Sequence, residues 1–494
     1  MIFTRGPMNS CWIDWEKITR DFLSSRKLKQ VAELRGFYRV NPSGIPRIPP
    51  DLELRDYQNT AIISWFRNRG RGTLKMATGS GKTITALAIA VELYEAIELQ
   101  VLLVICPYRH LVNQWQREAE KFNLKPILAY ESVHTWQSQL STELYNVQAG
   151  NQKFVTILTT NSTFISEGFQ SQIKFFPDKT LIVGDEAHNL GSPRLEELLP
   201  RSLGLRLALS ATPERYFDEE GTDAILDYFG QILQPEFTLA DAIIKGALVN
   251  YFYHPVLVEL TDNEALLYAK LTKKIGWTLQ KNSNLNGNEN LTALLMQRSR
   301  LIGSASNKLQ ALQQLMQERL DTDHTLFYCG DGYVENYTAN YRRQVEAVTH
   351  LLGNQLGYRV ATYTAETSLE EREKIRQQFE EGYLQGLVAI RCLDEGVDLP
   401  SIQNAVILAS SGNPRQFIQR RGRILRPHPD KKQATLFDMI VMPPTLDRET
   451  WEVERNLLRK ELKRFLEFAQ LAINAQEAET KLGEIQDRYC LLSN

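Results

Sequence analysis

Short apolar runs recur along the chain, separated by stretches of helical length. The first series is Val101–Cys106, Phe154–Thr159, Leu181–Asp185 and Leu207–Thr212. The second is Thr325–Cys329, Tyr358–Tyr363, Leu387–Ile390, Ala405–Ala409 and Thr435–Ile440. Each is four to six residues long, β-branched or Leu-rich, and bounded by turn or helix signals. Continuous apolar runs of this length predict strands of a parallel sheet buried on both faces. Between them, segments such as Thr83–Tyr94 and Leu369–Glu381 read as helices. The βαβα rhythm from about Asp51 to Ile440 predicts an α/β class of doubly wound parallel sheets, and two series predict two such domains.

Three regions fall outside the rhythm. Residues 1–50 form a mixed N-terminal extension ending in the Pro-rich Asn41–Pro50. Residues 262–320 are helical and polar, interrupted by Lys281–Asn290 (KNSNLNGNEN), which reads as a mobile loop. Beyond Pro443-Pro444 the pattern is helical to near the end, with 8 Lys+Arg against 10 Asp+Glu. Such a tail is not a basic nucleic-acid arm, and is expected to pack on a neighbouring domain or a partner. The boundaries that follow are 1–50 for the extension and 51–240 for a first domain. A second domain covers 241–445, with its helical insertion near 262–320, and a C-terminal tail covers 446–494.

Composition narrows the class. Of 494 residues, 43% are hydrophobic and 23% charged, a globular balance that excludes a largely disordered chain. The 57 Lys+Arg and 59 Asp+Glu leave a net charge of −2, so any nucleic-acid binding must use a local groove. Cys11, Cys106, Cys329, Cys392 and Cys490 form no CxxC pair, which argues against a disulfide scaffold or zinc ribbon and for a reducing interior. No apolar run approaches the roughly 18–20 residues needed to cross a bilayer, so a soluble, cytoplasmic protein is expected.

The chemistry begins at Ala77-Thr78-Gly79-Ser80-Gly81-Lys82-Thr83, directly before a predicted helix. Glycines let several backbone N–H groups turn toward one anion, and the helix N-terminus adds its dipole. Lys82 would bridge the β- and γ-phosphates of ATP, and the Thr83 hydroxyl would hold Mg²⁺. The P-loop pattern asks for glycine where this chain has Met76, but its GSGKT core is intact. About a hundred residues on, Asp185-Glu186-Ala187-His188 ends an apolar run. A strand end places Asp185 at the carboxyl edge of the sheet, where it can position Mg²⁺ through water. Glu186 can orient and deprotonate the attacking water.

With both sites placed, the chain resembles the superfamily 2 helicases and translocases. The resemblance runs in family order from Arg55 to Arg426, about three quarters of the sequence. Leu54-Arg55-Asp56-Tyr57-Gln58 resembles the adenine-recognising Q-type motif, and Ala77–Thr83 is similar to motif I. Cys106-Pro107-Tyr108-Arg109-His110, with Asn113-Gln114-Trp115, resembles motif Ia, and Thr159-Thr160-Asn161-Ser162 the next strand-contacting motif. Asp185–His188 resembles motif II and Ser210-Ala211-Thr212-Pro213 motif III. Phe327-Tyr328-Cys329, Leu393–Pro400 and Gln419-Arg420-Arg421-Gly422-Arg423-Ile424-Leu425-Arg426 resemble motifs IV, V and VI. Their form looks most like the branch of XPB-type, phage UvsW-type and restriction-subunit helicases. A looser resemblance, carried by no single motif, links such chains to bacterial phage defence, including restriction associated with DNA phosphorothioation.

The resemblance implies two tandem RecA-like domains with ATP and Mg²⁺ as cofactors. It assigns Arg55 and Gln58 to the adenine, Thr78, Gly79, Ser80, Gly81, Lys82 and Thr83 to the phosphates, and Asp398 to the ribose. Arg423 and Arg426 would reach the γ-phosphate from the second domain, and such fingers are worth about 10³–10⁵ in rate elsewhere. His188, Ser210, Thr212, Gln419 and Arg420 would couple nucleotide state to domain closure. Arg109, Thr160, Asn161 and Thr364 would grip a nucleic-acid backbone, a mode without base specificity.

The reading is an ATP-dependent DNA helicase or translocase, serving phage defence, restriction or repair. Its alternatives are a nucleotide-gated scaffold that recruits a nuclease or repair partner, and an RNA remodeller. Pro429-Asp430 followed by Glu461-Leu462-Lys463 mimics a nuclease spacing, but Asn456–Phe468 has a helical pattern, whereas that chemistry needs carboxylates converging from a sheet.

Overall fold

The structure is a computed structural model. It describes residues 13–32, 43–215, 218–281, 289–335, 341–364, 366–390, 399–409, 421–444 and 448–491. The chain divides into two compact units, Met1–Leu239 and Ala240–Asn494.

The first unit is built on six parallel strands: β1 (Arg71–Lys75), β2 (Val101–Cys106), β3 (Pro126–Ala129), β4 (Val155–Thr160), β5 (Thr180–Asp185) and β6 (Leu205–Ser210). Their spatial order is β1-β6-β5-β2-β4-β3. The inner strands β2, β4, β5 and β6 are buried at every position. Helices on both faces exclude water from them, among them Lys82–Ile97, Arg109–Lys121 and Val133–Gln148. One core cluster joins Leu103, Ile105, Ile157 and Ile182 to Trp136, Phe164 and Phe169.

The second unit repeats the plan with β7 (Asn250–Glu259), β8 (Thr325–Cys329), a small antiparallel hairpin β9 (Tyr333–Glu335) and β10 (Tyr341–Arg343), then β11 (Val360–Tyr363), β12 (Gly386–Ile390), β13 (Asn404–Ile407) and β14 (Gln433–Met442). Its six-stranded parallel sheet has the order β11-β12-β8-β13-β14-β7. The helical insertion comprises Asp262–Lys281, Glu289–Gly303 and Asn307–Gln317, and residues 282–288, most of the expected mobile loop, lie outside the described residues.

Apart from the small hairpin, three strands were not expected from the apolar pattern, and all are edges of the six-stranded sheets. β1 (RGTLK) carries charges at both ends, and β3 (PILA) is only four residues long. β7 (NYFYHPVLVE) alternates, with Pro255 inside it. An edge strand tolerates proline because one row of its N–H groups has no ladder partner. The outer side of β1 is covered by later chain, since Thr73 N–H donates to Gln231 O at 3.0 Å and Phe237 N–H to Lys75 O at 3.0 Å.

The tail folds back on its own unit as helices Arg448–Gln470 and Ala475–Arg488. A buried cluster ties it to the insertion: Arg298 donates to Glu461 at 2.9 Å and to the Tyr268 hydroxyl at 2.7 Å, and Glu454 accepts from Tyr268 and from Thr272. Glu461 and Lys463 thus sit on a helix, with Glu461 paired to Arg298, so the nuclease-like spacing does not bring carboxylates to a sheet.

Candidate active site

The phosphate loop leaves β1 at Met76 and enters the helix at Lys82. Gly79 (φ +80°) and Gly81 (φ +78°) adopt left-handed conformations open to glycine at no steric cost. A Cβ on Gly81 would come within 2.5 Å of Gln58 Nε2. Gly81 is also the N-cap, and no side chain caps this helix. Thr78 Oγ1 and Ser80 Oγ are buried and make no hydrogen bond within the protein. An uncapped helix start beside two orphaned buried hydroxyls is a cradle suited to an anion. Lys82 Nζ lies 3.2 Å from Met76 O, and half-buried Thr83 is the next residue of the helix.

Arg55, Tyr57 and Gln58 come to this loop from the helix Asp56–Arg67 and its cap. Gln58 is buried, and its Nε2 lies 3.3 Å from both Ser80 O and Gly81 O while its Oε1 accepts from Arg55 N–H at 2.9 Å. The carboxamide that the resemblance assigns to a base edge is therefore engaged with backbone. The Tyr57 hydroxyl donates to Ser80 O at 3.0 Å, and its ring stacks on Phe237 at 3.9 Å.

Asp185 ends β5 and is buried. Its Oδ2 accepts from Trp115 Nε1–H at 2.8 Å and its Oδ1 from Glu186 N–H at 3.0 Å. Burial pushes its carboxyl above the usual range, opposed by the Trp115 bond, the Lys82 ammonium and the Glu186 N–H. Burial, with the Asp185 and Glu186 charges, also pushes the Cys106 thiol well up, leaving it protonated and inert. Glu186 takes a left-handed conformation (φ 44°, ψ 53°), which is uncommon for a side chain of this kind. His188 is buried, with Nδ1 3.3 Å from Ser210 Oγ and 3.5 Å from Glu186 Oε2. Ser210 Oγ accepts from Thr212 N–H at 3.1 Å. The residues expected to act in coupling within this unit are thus joined in one chain of contacts.

The expected nucleic-acid contacts divide. Arg109 is exposed, pairs with Glu131 at 2.6 Å and lies over the Tyr130 ring. Thr160 is buried, and its Oγ1 caps the turn Asn161–Phe164 by accepting from Thr163 N–H at 3.3 Å. Asn161 Oδ1 is buried without a partner. Thr364 begins a turn, its N–H donating to Thr367 Oγ1 at 3.3 Å.

In the second unit Arg423 and Arg426 are half-buried one turn apart, with Arg426 N–H donating to Arg423 O at 3.3 Å. Asp398, Gln419 and Arg420 lie outside the described residues. The neighbouring Arg421 is buried and pairs with buried Asp438, which also accepts from the Tyr253 hydroxyl at 3.0 Å. Phe468 of the tail lies under the Arg421 guanidinium at 5.0 Å and packs edge-on against Tyr253. Sequence reasoning missed both Trp115 and Arg421 as site-building residues. Trp115 had a signal in its place within the motif Ia segment, whereas Arg421 was hidden among four arginines.

Residues 51–215 match the family "Type III restriction enzyme, res subunit" and residues 308–428 the family "Helicase conserved C-terminal domain". The chain is similar to DNA 3'-5' translocase XPB2 of Sulfurisphaera tokodaii, 26% identical over 80% of this chain and 83% of the relative. It is also similar to DNA 3'-5' helicase XPB of Kineococcus radiotolerans, 22% identical over 83% of this chain and 63% of the relative. Among solved structures it resembles the ATP-dependent Type ISP restriction-modification enzyme LlaBIII bound to DNA, with TM-score 0.58 and 17% identity. That likeness covers 90% of this chain but only a third (33%) of the larger enzyme, and concerns the fold. The fold is a pair of tandem RecA-like domains. The two matched regions and these relatives make the chain similar to the superfamily 2 helicases and translocases of the XPB-type and restriction-subunit branch, and support an ATP-hydrolysing helicase or translocase. Among the described residues no helix is long and apolar enough to cross a membrane.

Proposed function

We propose that this protein is a DNA-stimulated ATPase that moves along a nucleic-acid backbone, separating strands or translocating on duplex. The observation that carries the reading is the first-unit site: an uncapped phosphate cradle with orphaned Thr78 and Ser80 hydroxyls, and beside it the fixed Asp185 carboxylate. The donor set fits magnesium nucleotide. Thr78 to Thr83 hold the phosphates, with Lys82 as the charge clamp, while Thr83 and Asp185 hold Mg²⁺, which offsets phosphate charge when bound. Glu186 orients the attacking water and takes its proton. Gln58 and Tyr57 set the loop, and Arg55 beside them would meet the base. Arg423 and Arg426 are supplied by the second unit, so hydrolysis depends on closure, with Gln419 and Arg420 coupling that closure and Asp398 meeting the ribose. Contacts from Arg109, Asn161 and Thr364 grip phosphates without reading bases. The XPB-type relatives are named for DNA, which supports DNA over RNA. A role in phage defence, restriction or repair, alone or with a nuclease partner, suits the resemblance to restriction subunits.

ATPase rates measured with single-stranded, duplex and forked DNA and with RNA test the reading. Stimulation by at least one DNA form, weakening as salt rises, is expected because binding rests on phosphate contacts. Stimulation by RNA alone, or by no nucleic acid, overturns it.

A further inference from the structure

Buried tryptophans need an acceptor for an indole N–H that can only donate. In the first unit Trp65 Nε1–H finds one in a backbone carbonyl, Arg206 O, at 3.1 Å. Trp115, equally buried, gives its N–H instead to Asp185 Oδ2 at 2.8 Å. With Oδ1 held by Glu186 N–H, this bond fixes the rotation of the carboxylate. Trp115 stands in the middle of the helix Arg109–Lys121, whose Val112, Trp115 and Ala119 face the core. The same helix begins at exposed Arg109, six residues and about 9 Å of helix rise away. A single rigid element therefore joins a surface cation to the acidic group of the phosphate site.

We infer that Trp115 is a positioning residue that couples nucleic-acid engagement at the start of this helix to the orientation of Asp185. This rests on the reading of Arg109 as a phosphate contact and Asp185 as a Mg²⁺ holder. When a backbone phosphate draws Arg109 from its pairing with Glu131, the helix shifts as a unit. The indole N–H then turns the carboxylate into its metal-holding orientation. Coupling of this kind is reciprocal: nucleic acid alters metal-nucleotide affinity and the metal-nucleotide alters nucleic-acid affinity by the same factor.

The test compares Trp115→Phe, which keeps the ring and deletes the donor, with Trp65→Phe, which deletes an indole donor to backbone. Both are measured in the full chain. One readout is Mn²⁺ binding by electron paramagnetic resonance with a non-hydrolysable ATP analogue, with and without oligonucleotide. The other is ATPase rate against DNA concentration. In wild type, oligonucleotide tightens Mn²⁺ binding; in Trp115→Phe this effect and the DNA stimulation both fall roughly tenfold, within the usual range of couplings. DNA affinity by fluorescence anisotropy, without nucleotide, stays unchanged. Trp65→Phe leaves both at wild-type values. If Trp115→Phe matches Trp65→Phe while wild type is stimulated, the coupling is overturned and the proposed function stands. If wild type shows neither stimulation nor Mn²⁺-nucleotide binding, the functional reading itself fails. Should Trp115→Phe not fold, hydrogen exchange in wild type decides. Oligonucleotide should change protection at residues 180–190 and Mn²⁺-nucleotide at residues 109–121, and absence of either change refutes the coupling.

Discussion

The phosphate loop of the first unit and the arginine turn of the second both lie in crossovers of a six-stranded parallel sheet, yet they are held differently. The loop is fastened by neutral hydrogen bonds: Tyr57 and Gln58 to Ser80 O and Gly81 O, and Met76 N–H to Ser210 O. The turn is anchored by a charge, Arg421 on Asp438, sealed by Tyr253 and Phe468. A neutral anchor can lose one bond for about 0.5–1.5 kcal/mol. Breaking a buried ion pair by removing one partner costs about 3–5 kcal/mol, because the other charge stays buried. The loop is thus adjustable in place, while the turn is either seated or lost.

The largest effects should come from chemistry in the first unit. Lys82→Ala is expected to abolish ATP turnover by removing the charge clamp. Glu186→Gln should still bind ATP but not hydrolyse it, because an amide cannot accept the proton of the attacking water. A nucleotide-binding titration beside a steady-state ATPase assay separates the two, and normal turnover in Glu186→Gln would remove this residue from the role of base.

Arg423→Ala comes next. If the second unit supplies a finger, the variant binds ATP nearly normally and loses DNA-stimulated hydrolysis, by about 10³–10⁵ or roughly 4–7 kcal/mol. Lysine should not rescue it, since an ammonium lacks the planar fork. Undiminished stimulation in the variant refutes the finger.

Arg421→Met sharpens the comparison. It should destabilise the second unit by about 3–5 kcal/mol, seen as a separate, earlier unfolding transition, while the first unit still binds nucleotide. Gln58→Ala, read in the same way on the first unit, should cost only about 0.5–1.5 kcal/mol per lost bond.

One further effect is pH-dependent. Lys308 is buried, with its ammonium on Leu408 O, and burial lowers it to about 8 from 10.5. Between those values the unfolded chain binds the extra proton, so this residue favours folding increasingly as pH rises. The full penalty applies below pH 8. Lys308→Met should therefore gain most over wild type near pH 7 and lose that advantage toward pH 10, measured by urea midpoints. A difference independent of pH would mean that Lys308 does not change its charge on folding.

The parts of this molecule legible in the sequence are those encoded locally. β2, β4 and β8 are continuous apolar runs because both faces are covered, and the GSGKT loop carries its own geometry in its glycines. β1, β3 and β7 were not legible because edge strands keep charges, proline and alternation. The pairing of Trp115 with Asp185 spans 70 residues, and that of Arg421 with Phe468 depends on where a distant helix comes to rest. No short-range pattern specifies either. The side chains of Gln58 and Thr160 are each engaged with backbone atoms, partners that their motifs do not name.

The free edge of β7 is closed by Asn474, whose side chain accepts from Tyr253 N–H at 2.9 Å and donates to Tyr253 O at 3.0 Å, while Ile473 N–H reaches Tyr251 O. Asn474 is made 221 residues after Tyr253. At about 5–20 residues per second, a ribosome needs roughly 10–45 s to bridge that gap. Throughout that interval β7 of the nascent chain has its outer edge open to any passing strand. The first unit closes its edge at β1 with residues only some 160 positions later, so it is finished while the second is still exposed. Growing this protein therefore leaves the second unit's edge open longer than the first unit's, and shifts the demand for chaperone cover toward the end of synthesis.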